Sequence, residues 1–183
     1  MDKIRWGIIG PGSIANNFAD ALKQTYSGEL ISIASRTFSK LEEFGNKYQI
    51  KKDFRFNDYD ALLENETIDA VYIATPHVFH ADLSIRAAGK GKHILCEKPG
   101  AVNFAEASRV IEKIKEAGVF YKEGFMYRCH PQIPALINII KQNTIGNIKH
   151  ITSSFGFDMQ KVIPDHRLFD KKLAGGSILD VGL

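Results

Sequence analysis

The sequence has few cysteines, and they form no recognisable pair. Its 183 residues include 2 cysteines, Cys96 and Cys129, which lie far apart and outside any C-x-x-C spacing. A disulfide-stapled domain or a structural zinc site needs several cysteines at short, regular spacings. The sequence therefore argues against both, and we expect reduced thiols.

Long apolar runs and an excess of one charge are also missing. No stretch approaches the ~20 consecutive apolar residues of a membrane span, and Met1 leads directly into a predicted strand. The net charge is +3, from 24 basic and 21 acidic residues scattered along the chain. Nucleic-acid binding usually needs a concentrated basic surface. We therefore expect a cytoplasmic protein with no membrane and no nucleic-acid partner.

The N-terminal segment carries the clearest pattern. Residues 3–15 read KIRWGIIGPGSIA, an apolar strand followed by G-x-G-x-x-A and the periodicity of a helix. In a dinucleotide site the first glycine permits a tight turn, and the second lets the pyrophosphate approach the main chain. An ordinary strand-to-helix turn has the same spacing, so the motif alone is weak. The residues predicted to bind the phosphates are Gly10, Gly12, Ser13 and Ile14.

Beyond this turn, predicted strands alternate with predicted helices. This alternation predicts an α/β fold with a doubly wound parallel sheet, Rossmann-like, of six strands. The fourth strand is apolar except for the hydroxyl of Tyr72, which is typical of a strand buried on both faces. After the first strand, the others are predicted at Leu30–Ala34, Phe54–Phe56, Ala70–Ala74, His93–Cys96 and Val119–Tyr121.

Two helix starts are predicted from capping boxes. Ser39 with Glu42 and Asn103 with Glu106 both have the spacing in which side chains and backbone N–H groups bond reciprocally. Gly118 is predicted to end the second of these helices.

The end of the second strand bears on the choice of cofactor. An NAD site has a carboxylate there to accept the ribose 2′-hydroxyl, but this chain has Ser35, Arg36 and Thr37. Cations and hydroxyl donors suit a 2′-phosphate, so NADP is favoured and NAD remains possible. The alternative is that Arg36 only stacks on the adenine, as it can with either cofactor.

The carboxyl ends of the fourth and fifth strands are expected to hold the nicotinamide. In a sheet of order 3-2-1-4-5-6, ligands lie across the edge where the strand order reverses. Lys98 follows the fifth strand, where it can exchange a proton with a reacting group. A solvated loop lysine is the alternative. The predicted cofactor contacts at this edge are Thr75, Pro76, His80, Glu97 and Lys98.

Two histidines near the fourth strand raise the question of a metal. His77 and His80 are three residues apart, but no acidic residue or cysteine accompanies them. We therefore predict no metal and histidines that are satisfied within their loop, close to the cofactor.

Five motifs, in order, resemble those of the Gfo/Idh/MocA oxidoreductases. They are GPGSIA, ATPHVFH, CEKP, YRCHP and AGGSILDVG, and the resemblance spans essentially the whole chain. It implies NAD(P)-dependent hydride transfer at a hydroxyl-bearing carbon of a sugar, polyol or dihydrodiol. YRCHP resembles the branch that contains dihydrodiol dehydrogenase and xylose dehydrogenase, although Cys129 stands where that branch usually has phenylalanine.

The resemblance also implies roles for individual residues. Lys98 would be the catalytic lysine, Pro99 would often follow a cis peptide bond, and Asp180 would be the acid of a D-x-G-x-[HY] motif. The residues that would contact the small-molecule substrate are Tyr127, Arg128 and His130.

Members of this family are considerably longer than 183 residues. We therefore predict an NAD(P)-binding domain at 1–124 and, at 125–183, the start of a truncated α+β domain for substrate binding and dimerisation. On this interpretation the longer protein is a homo-oligomer, and the 183-residue chain alone is inactive. A non-catalytic NADP-binding module or redox sensor is the alternative function, but such a protein would have no use for a lysine at the nicotinamide.

Overall fold

A parallel sheet forms the centre of the structure. The structure is a computed structural model, and it describes residues 2–156 and 168–181. The sheet has six strands in the order β3-β2-β1-β4-β5-β6, and every neighbouring pair is parallel. The predicted doubly wound sheet is therefore confirmed. The strands are β1 (Ile4–Ile9), β2 (Gly28–Ala34), β3 (Arg55–Phe56), β4 (Ala70–Ile73), β5 (His93–Cys96) and β6 (Tyr121–Glu123).

Helices cover both faces of the sheet. Consecutive strand residues point to opposite faces, and accordingly Ile8 and Ile9 belong to two different hydrophobic clusters. One cluster lies under α1 and α2, and the other lies under α3, α4 and α5. No helix in residues 2–156 and 168–181 is both long and apolar enough to cross a bilayer. The helices are α1 (Ser13–Leu22), α2 (Phe38–Lys47), α3 (Tyr59–Glu64), α4 (His80–Gly89), α5 (Phe104–Ala117), α6 (Gln132–Lys141) and α7 (Ser177–Val181).

One of the two predicted helix caps is confirmed. The Asn103 side chain accepts the Glu106 backbone N–H at 2.9 Å and donates to the Glu106 carboxylate at 3.1 Å. Gly118 ends the same helix with φ +66°, the left-handed conformation that favours glycine. This cap forms because the Glu106 carboxylate remains free to bond the start of its own helix. Among the described residues, no lysine or arginine binds that carboxylate.

The other predicted cap is wrong. Helix α2 begins at Phe38, so Ser39 already lies inside its first turn, and the side chain of the N-cap residue, Thr37, accepts no N–H of the helix. Glu42 is instead paired with Lys52 and, at 3.2 Å, with the Arg55 guanidinium. Two cations on the facing segment hold the carboxylate that the capping box would need.

Residues after α5 depart from the predictions in two places. Strand β6 begins at Tyr121 rather than Val119, because Tyr121 pairs with Ile94 in the parallel register of β5. The sequence of residues 147–157 also resembles a strand, but their described part, 147–156, contains none, and Phe157 lies outside the described residues. An extended segment becomes a strand only by pairing, and no described backbone group bonds to 147–156.

A prediction for stability concerns Gly45 in α2. A Cβ atom there would overlap the guanidinium of Arg55, which is 7% exposed and donates to the Ile50 carbonyl at 2.8 Å and Asn46 at 2.7 Å. Gly45→Ala should lower the free energy of unfolding by about 1–3 kcal/mol, because lost hydrogen bonds of a charged group exceed the helix-propensity gain. Urea unfolding measures the change.

The matched control is Gly89→Ala in α4. The nearest described atom to a Cβ there is Lys113 Cε at 3.7 Å, an ordinary contact. This variant should be as stable as the wild type or slightly more stable. Equal behaviour of the two variants would show that the Arg55 contacts contribute nothing.

Candidate cofactor and active site

The two glycines of the N-terminal turn differ in what they are needed for. Gly10 has φ +95°, and a Cβ there would lie 3.0 Å from the Ala74 carbonyl oxygen, so the turn itself requires glycine. Gly12 has φ −85°, which any residue adopts, and the nearest described atom to a Cβ would be 4.0 Å away. The fold therefore leaves the space in front of Gly12 open to a ligand.

The N-terminus of α1 faces this open space. Gly12 is the N-cap residue, and no described side chain bonds to the first N–H groups of the helix. These groups begin at Ser13 and Ile14, and they carry the positive end of the helix dipole. An anion such as a pyrophosphate would satisfy them.

Arg36 lies beside a cavity at the carboxyl ends of β2 and β3. The cavity has a volume of about 480 Å³ and is lined by Arg36, Tyr59, Phe79 and Leu83 among others. The guanidinium carbon lies 4.8 Å from the centre of the Phe79 ring and 5.7 Å from that of Tyr59. Arg36 forms no ion pair with any residue that the structure describes. Its charge is thus held on aromatic rings and is available to an anion.

The residues beside Arg36 form a tight turn. The Thr37 backbone N–H donates to Ser35 Oγ at 3.1 Å, and that hydroxyl donates to the Thr37 carbonyl at 3.2 Å. This local bonding fixes the chain at the end of β2, and the Thr37 hydroxyl makes no hydrogen bond within the described chain.

Thr75 carries a buried hydroxyl at the end of β4. Its Oγ1 has no hydrogen-bond partner among the described residues, and its Cγ2 lies 3.1 Å from the position of a Cβ on Gly10. Leaving a buried hydroxyl unpaired costs about 1–3 kcal/mol, so such a group calls for a ligand. The orphaned hydroxyl, the open space at Gly12 and the free cation at Arg36 fit a dinucleotide phosphate.

Glu97 and Lys98 follow β5 at the same edge of the sheet. Lys98 Nζ donates to Asp180, both to its backbone carbonyl and to Oδ1 at 3.2 Å. The two side chains are 29% and 11% exposed, so the pair is partly shielded from water. The Lys98–Pro99 peptide bond is cis. The structure thus brings together the two residues predicted to be catalytic, 82 positions apart in the sequence.

The cysteine that precedes Glu97 has no chemical role at this edge. Cys96 is fully buried, and burial raises the pKa of its thiol to about 12. Because a thiol in that state is neutral at physiological pH, it is not a nucleophile. Cys96 is therefore a core residue beneath this edge.

His80 is not exposed to a ligand. Its ring is fully buried, with Nδ1 2.8 Å from the Pro99 carbonyl and Nε2 2.7 Å from the Thr75 carbonyl. This corrects the expectation that His80 contacts the cofactor, because both nitrogens are occupied by backbone oxygens that link the ends of β4 and β5. His77 approaches the Ala174 carbonyl at 3.3 Å, in the loop before α7.

The three predicted substrate residues lie apart from this cluster of contacts. Tyr127 and Arg128 belong to an exposed 3₁₀ turn, Met126–Cys129, and His130 follows it. His130 Nδ1 accepts the Gln132 N–H at 3.2 Å. No hydrogen bond within the described chain joins them to Lys98, so their role stays a prediction.

Two further side chains, which no sequence motif singles out, support this edge. Tyr72 Oη donates to Glu97 Oε1, and Glu123 Oε1 accepts the Gly100 N–H at 2.7 Å. The lone hydroxyl in an otherwise apolar strand was a signal for Tyr72, since a buried phenol needs a partner. Glu123 gave no such signal.

The sheet, the glycine turn and the cavity at the end of β2 define a dinucleotide-binding domain of the Rossmann type. A family model described as "Oxidoreductase family, NAD-binding Rossmann fold" matches residues 4–125. The chain belongs to this family, the Gfo/Idh/MocA oxidoreductases, as the motifs predicted.

The chain is also similar to individual enzymes, which include a dehydrogenase and a ketoreductase. The chain is 35% identical over 182 residues to trans-1,2-dihydrobenzene-1,2-diol dehydrogenase of Mus musculus, covering 98% of this chain and 53% of that protein. A crystal structure of a variant of KijD10, a 3-ketoreductase from Actinomadura kijaniata in complex with TDP-benzene and NADP, matches with TM-score 0.73 and 34% identity. That match covers 81% of this chain and 46% of the ketoreductase.

A third similar protein was crystallised with NADH rather than NADP. The WlbA dehydrogenase from Bordetella pertussis, in complex with NADH and UDP-GlcNAcA, matches with TM-score 0.73 and 27% identity, over 79% of this chain and 44% of that one. The chain thus spans about half the length of the relatives that it matches.

Proposed function

We propose that the chain is the cofactor-binding part of an NADP(H)-dependent dehydrogenase that acts on the hydroxyl-bearing carbon of a sugar, polyol or dihydrodiol. The observation that carries this proposal is the Lys98–Asp180 pair at the end of β5, on the same sheet edge as the glycine turn. The named relatives support it, since they include a dihydrodiol dehydrogenase and a dehydrogenase in complex with UDP-GlcNAcA.

The residues of this edge suit a coupled transfer of hydride and proton. A bound nicotinamide would accept hydride from the substrate carbon or return it. Lys98 would take the hydroxyl proton during oxidation and give it back during reduction. The carboxylate of Asp180 would hold the lysine side chain at the reacting oxygen, as their 3.2 Å contact suggests.

The phosphate end of the site favours NADP over NAD. No carboxylate follows β2 directly, and the nearest acid along the chain, Glu42, is paired with Lys52 and Arg55. Arg36 stands there instead, beside the Ser35 and Thr37 hydroxyls. A guanidinium forms strong, charge-assisted hydrogen bonds with a phosphate, whereas a free ribose hydroxyl would gain little from it.

Replacing Arg36 tests this proposal. Arg36→Ala should weaken NADPH binding by about 1.5–3 kcal/mol, the range for hydrogen bonds to a charged group, and NADH binding much less. A titration that follows nicotinamide fluorescence measures both. The matched control is Arg109→Ala, an exposed arginine on α5, which should change neither affinity. Equal losses for both cofactors would mean that Arg36 only stacks on the adenine.

The proposal extends to the rest of the chain. Residues 1–124 would be the cofactor domain, and 125–183 would begin a second domain that carries Tyr127, Arg128 and His130 towards the substrate. In the longer protein that domain would also join subunits into a homo-oligomer. The 183-residue chain alone should bind the cofactor without turning over a substrate, because its nicotinamide edge would be open to water.

A further inference from the structure

Tyr72 is a buried phenol on the face of the sheet that carries α1. Its side chain is 3% exposed, and the ring of Phe18, from α1, stacks on it with ring centres 4.2 Å apart. Tyr72 is paired with Leu95 on the neighbouring strand. Because side chains alternate along a strand, Glu97 emerges on the same face two residues further on.

The phenol and this carboxylate are hydrogen-bonded. Tyr72 Oη donates to Glu97 Oε1 at 2.5 Å. Burial, and then the bond to Glu97, raise the pKa of the phenol, so Tyr72 stays protonated and remains the donor at physiological pH. The other carboxylate oxygen, Oε2, makes no hydrogen bond to any residue in the described ranges.

The space around the same carboxylate depends on Gly124. A Cβ atom on Gly124 would lie 3.2 Å from Glu97 Oε1, which is a tight contact, so the absence of a side chain there leaves room for the carboxylate. The Gly124 N–H is itself tied to the Cys96 carbonyl at 2.7 Å. Oε1 thus accepts the phenol hydroxyl in a confined space, which leaves Oε2 as the oxygen available to an incoming donor.

We propose that Tyr72 is a positioning residue, which holds the Glu97 carboxylate so that Oε2 accepts the vicinal hydroxyls of the nicotinamide ribose. The inference rests on the proposed cofactor site. Glu97 precedes Lys98 at the nicotinamide end, and ribose hydroxyls are donors that a carboxylate accepts well. Tyr72 itself is too deeply buried to contact the cofactor, so its influence passes through Glu97.

The test is a double-mutant cycle with two ligands. Tyr72→Phe, Glu97→Gln and the double variant are titrated with NADPH and with adenosine 2′,5′-bisphosphate, which lacks the nicotinamide riboside. Each single variant should weaken NADPH binding about 3- to 10-fold, as expected for one hydrogen bond. The double variant should bind NADPH within about twofold of Glu97→Gln alone, because the two residues act as one unit.

The second ligand separates positioning from damage to the fold. Binding of adenosine 2′,5′-bisphosphate should be unchanged in all three variants. Phe18→Leu is the control: it removes the ring stacked on Tyr72 but keeps the hydrogen bond, so it should lower the melting temperature and leave the ratio of the two affinities unchanged.

Three results would overturn the inference alone: Tyr72→Phe binding NADPH like the wild type, losses that multiply in the double variant, or equal weakening of both ligands. A wild-type chain that binds neither ligand would instead overturn the proposed cofactor site, and this inference with it.

Discussion

Lys98→Met, made in a protein extended through the rest of its reading frame, should lower kcat by about 10²–10⁴. Methionine matches the length of lysine without its charge or proton. The hydroxyl proton would then have no acceptor beside the substrate, and Asp180 would lose the partner at 3.2 Å. NADPH affinity should stay within about threefold, since the phosphate-binding groups lie at other strand ends. The measurement is NADP reduction with a panel of sugars, polyols and dihydrodiols.

Lys122→Met is the control for Lys98→Met. Lys122 is an exposed lysine on β6 whose Nζ contacts Cys129 Sγ at 3.2 Å, so its loss removes a charge nearby without touching Asp180. Its kcat should equal that of the wild type. If Lys98→Met retains kcat, Lys98 is a loop lysine and the proposed proton transfer is wrong.

Gly12→Ala should abolish most of the affinity for NADPH while leaving the fold intact. The nearest described atom to the new Cβ is 4.0 Å away and φ is −85°, so the chain accommodates alanine without strain. A pyrophosphate that rests on the backbone there would be displaced from the N–H groups of α1. The loss of such charged hydrogen bonds corresponds to roughly 10- to 150-fold weaker binding. Fluorescence titration and thermal unfolding together measure the two effects.

Gly10→Ala provides the contrast. With φ +95° and the Ala74 carbonyl at 3.0 Å, alanine at this position is strained and should lower the melting temperature. If Gly12→Ala instead binds NADPH with wild-type affinity, the glycine turn serves the fold alone and does not bind the pyrophosphate.

Much of the fold was predictable because its signals are local. The strand at His93–Cys96 has the predicted bounds, and the Asn103 cap needs only residues three positions apart. The Ser39 cap failed because Glu42 binds cations that lie ten and thirteen residues further along the chain. A capping pattern considers only residues close in sequence, and an ion pair with a distant residue can remove the side chain that the cap needs.

The site was predictable in its residues but less so in its contacts. Parallel strand ends meet at one edge, which brings Gly10, Thr75 and Lys98 together by topology alone. The burial of His80 depends on two carbonyl groups, of Thr75 and Pro99, whose directions are set by loop geometry. Such contacts with backbone groups produce no recognisable pattern of residues in a sequence.

The most direct test of the central claim is a titration of the wild-type 183-residue chain with NADPH and with NADH, followed by nicotinamide fluorescence. Both cofactors should bind, and NADPH should bind at least about tenfold more tightly, because only its 2′-phosphate engages Arg36. Failure to bind either cofactor, or tighter binding of NADH, would contradict the account.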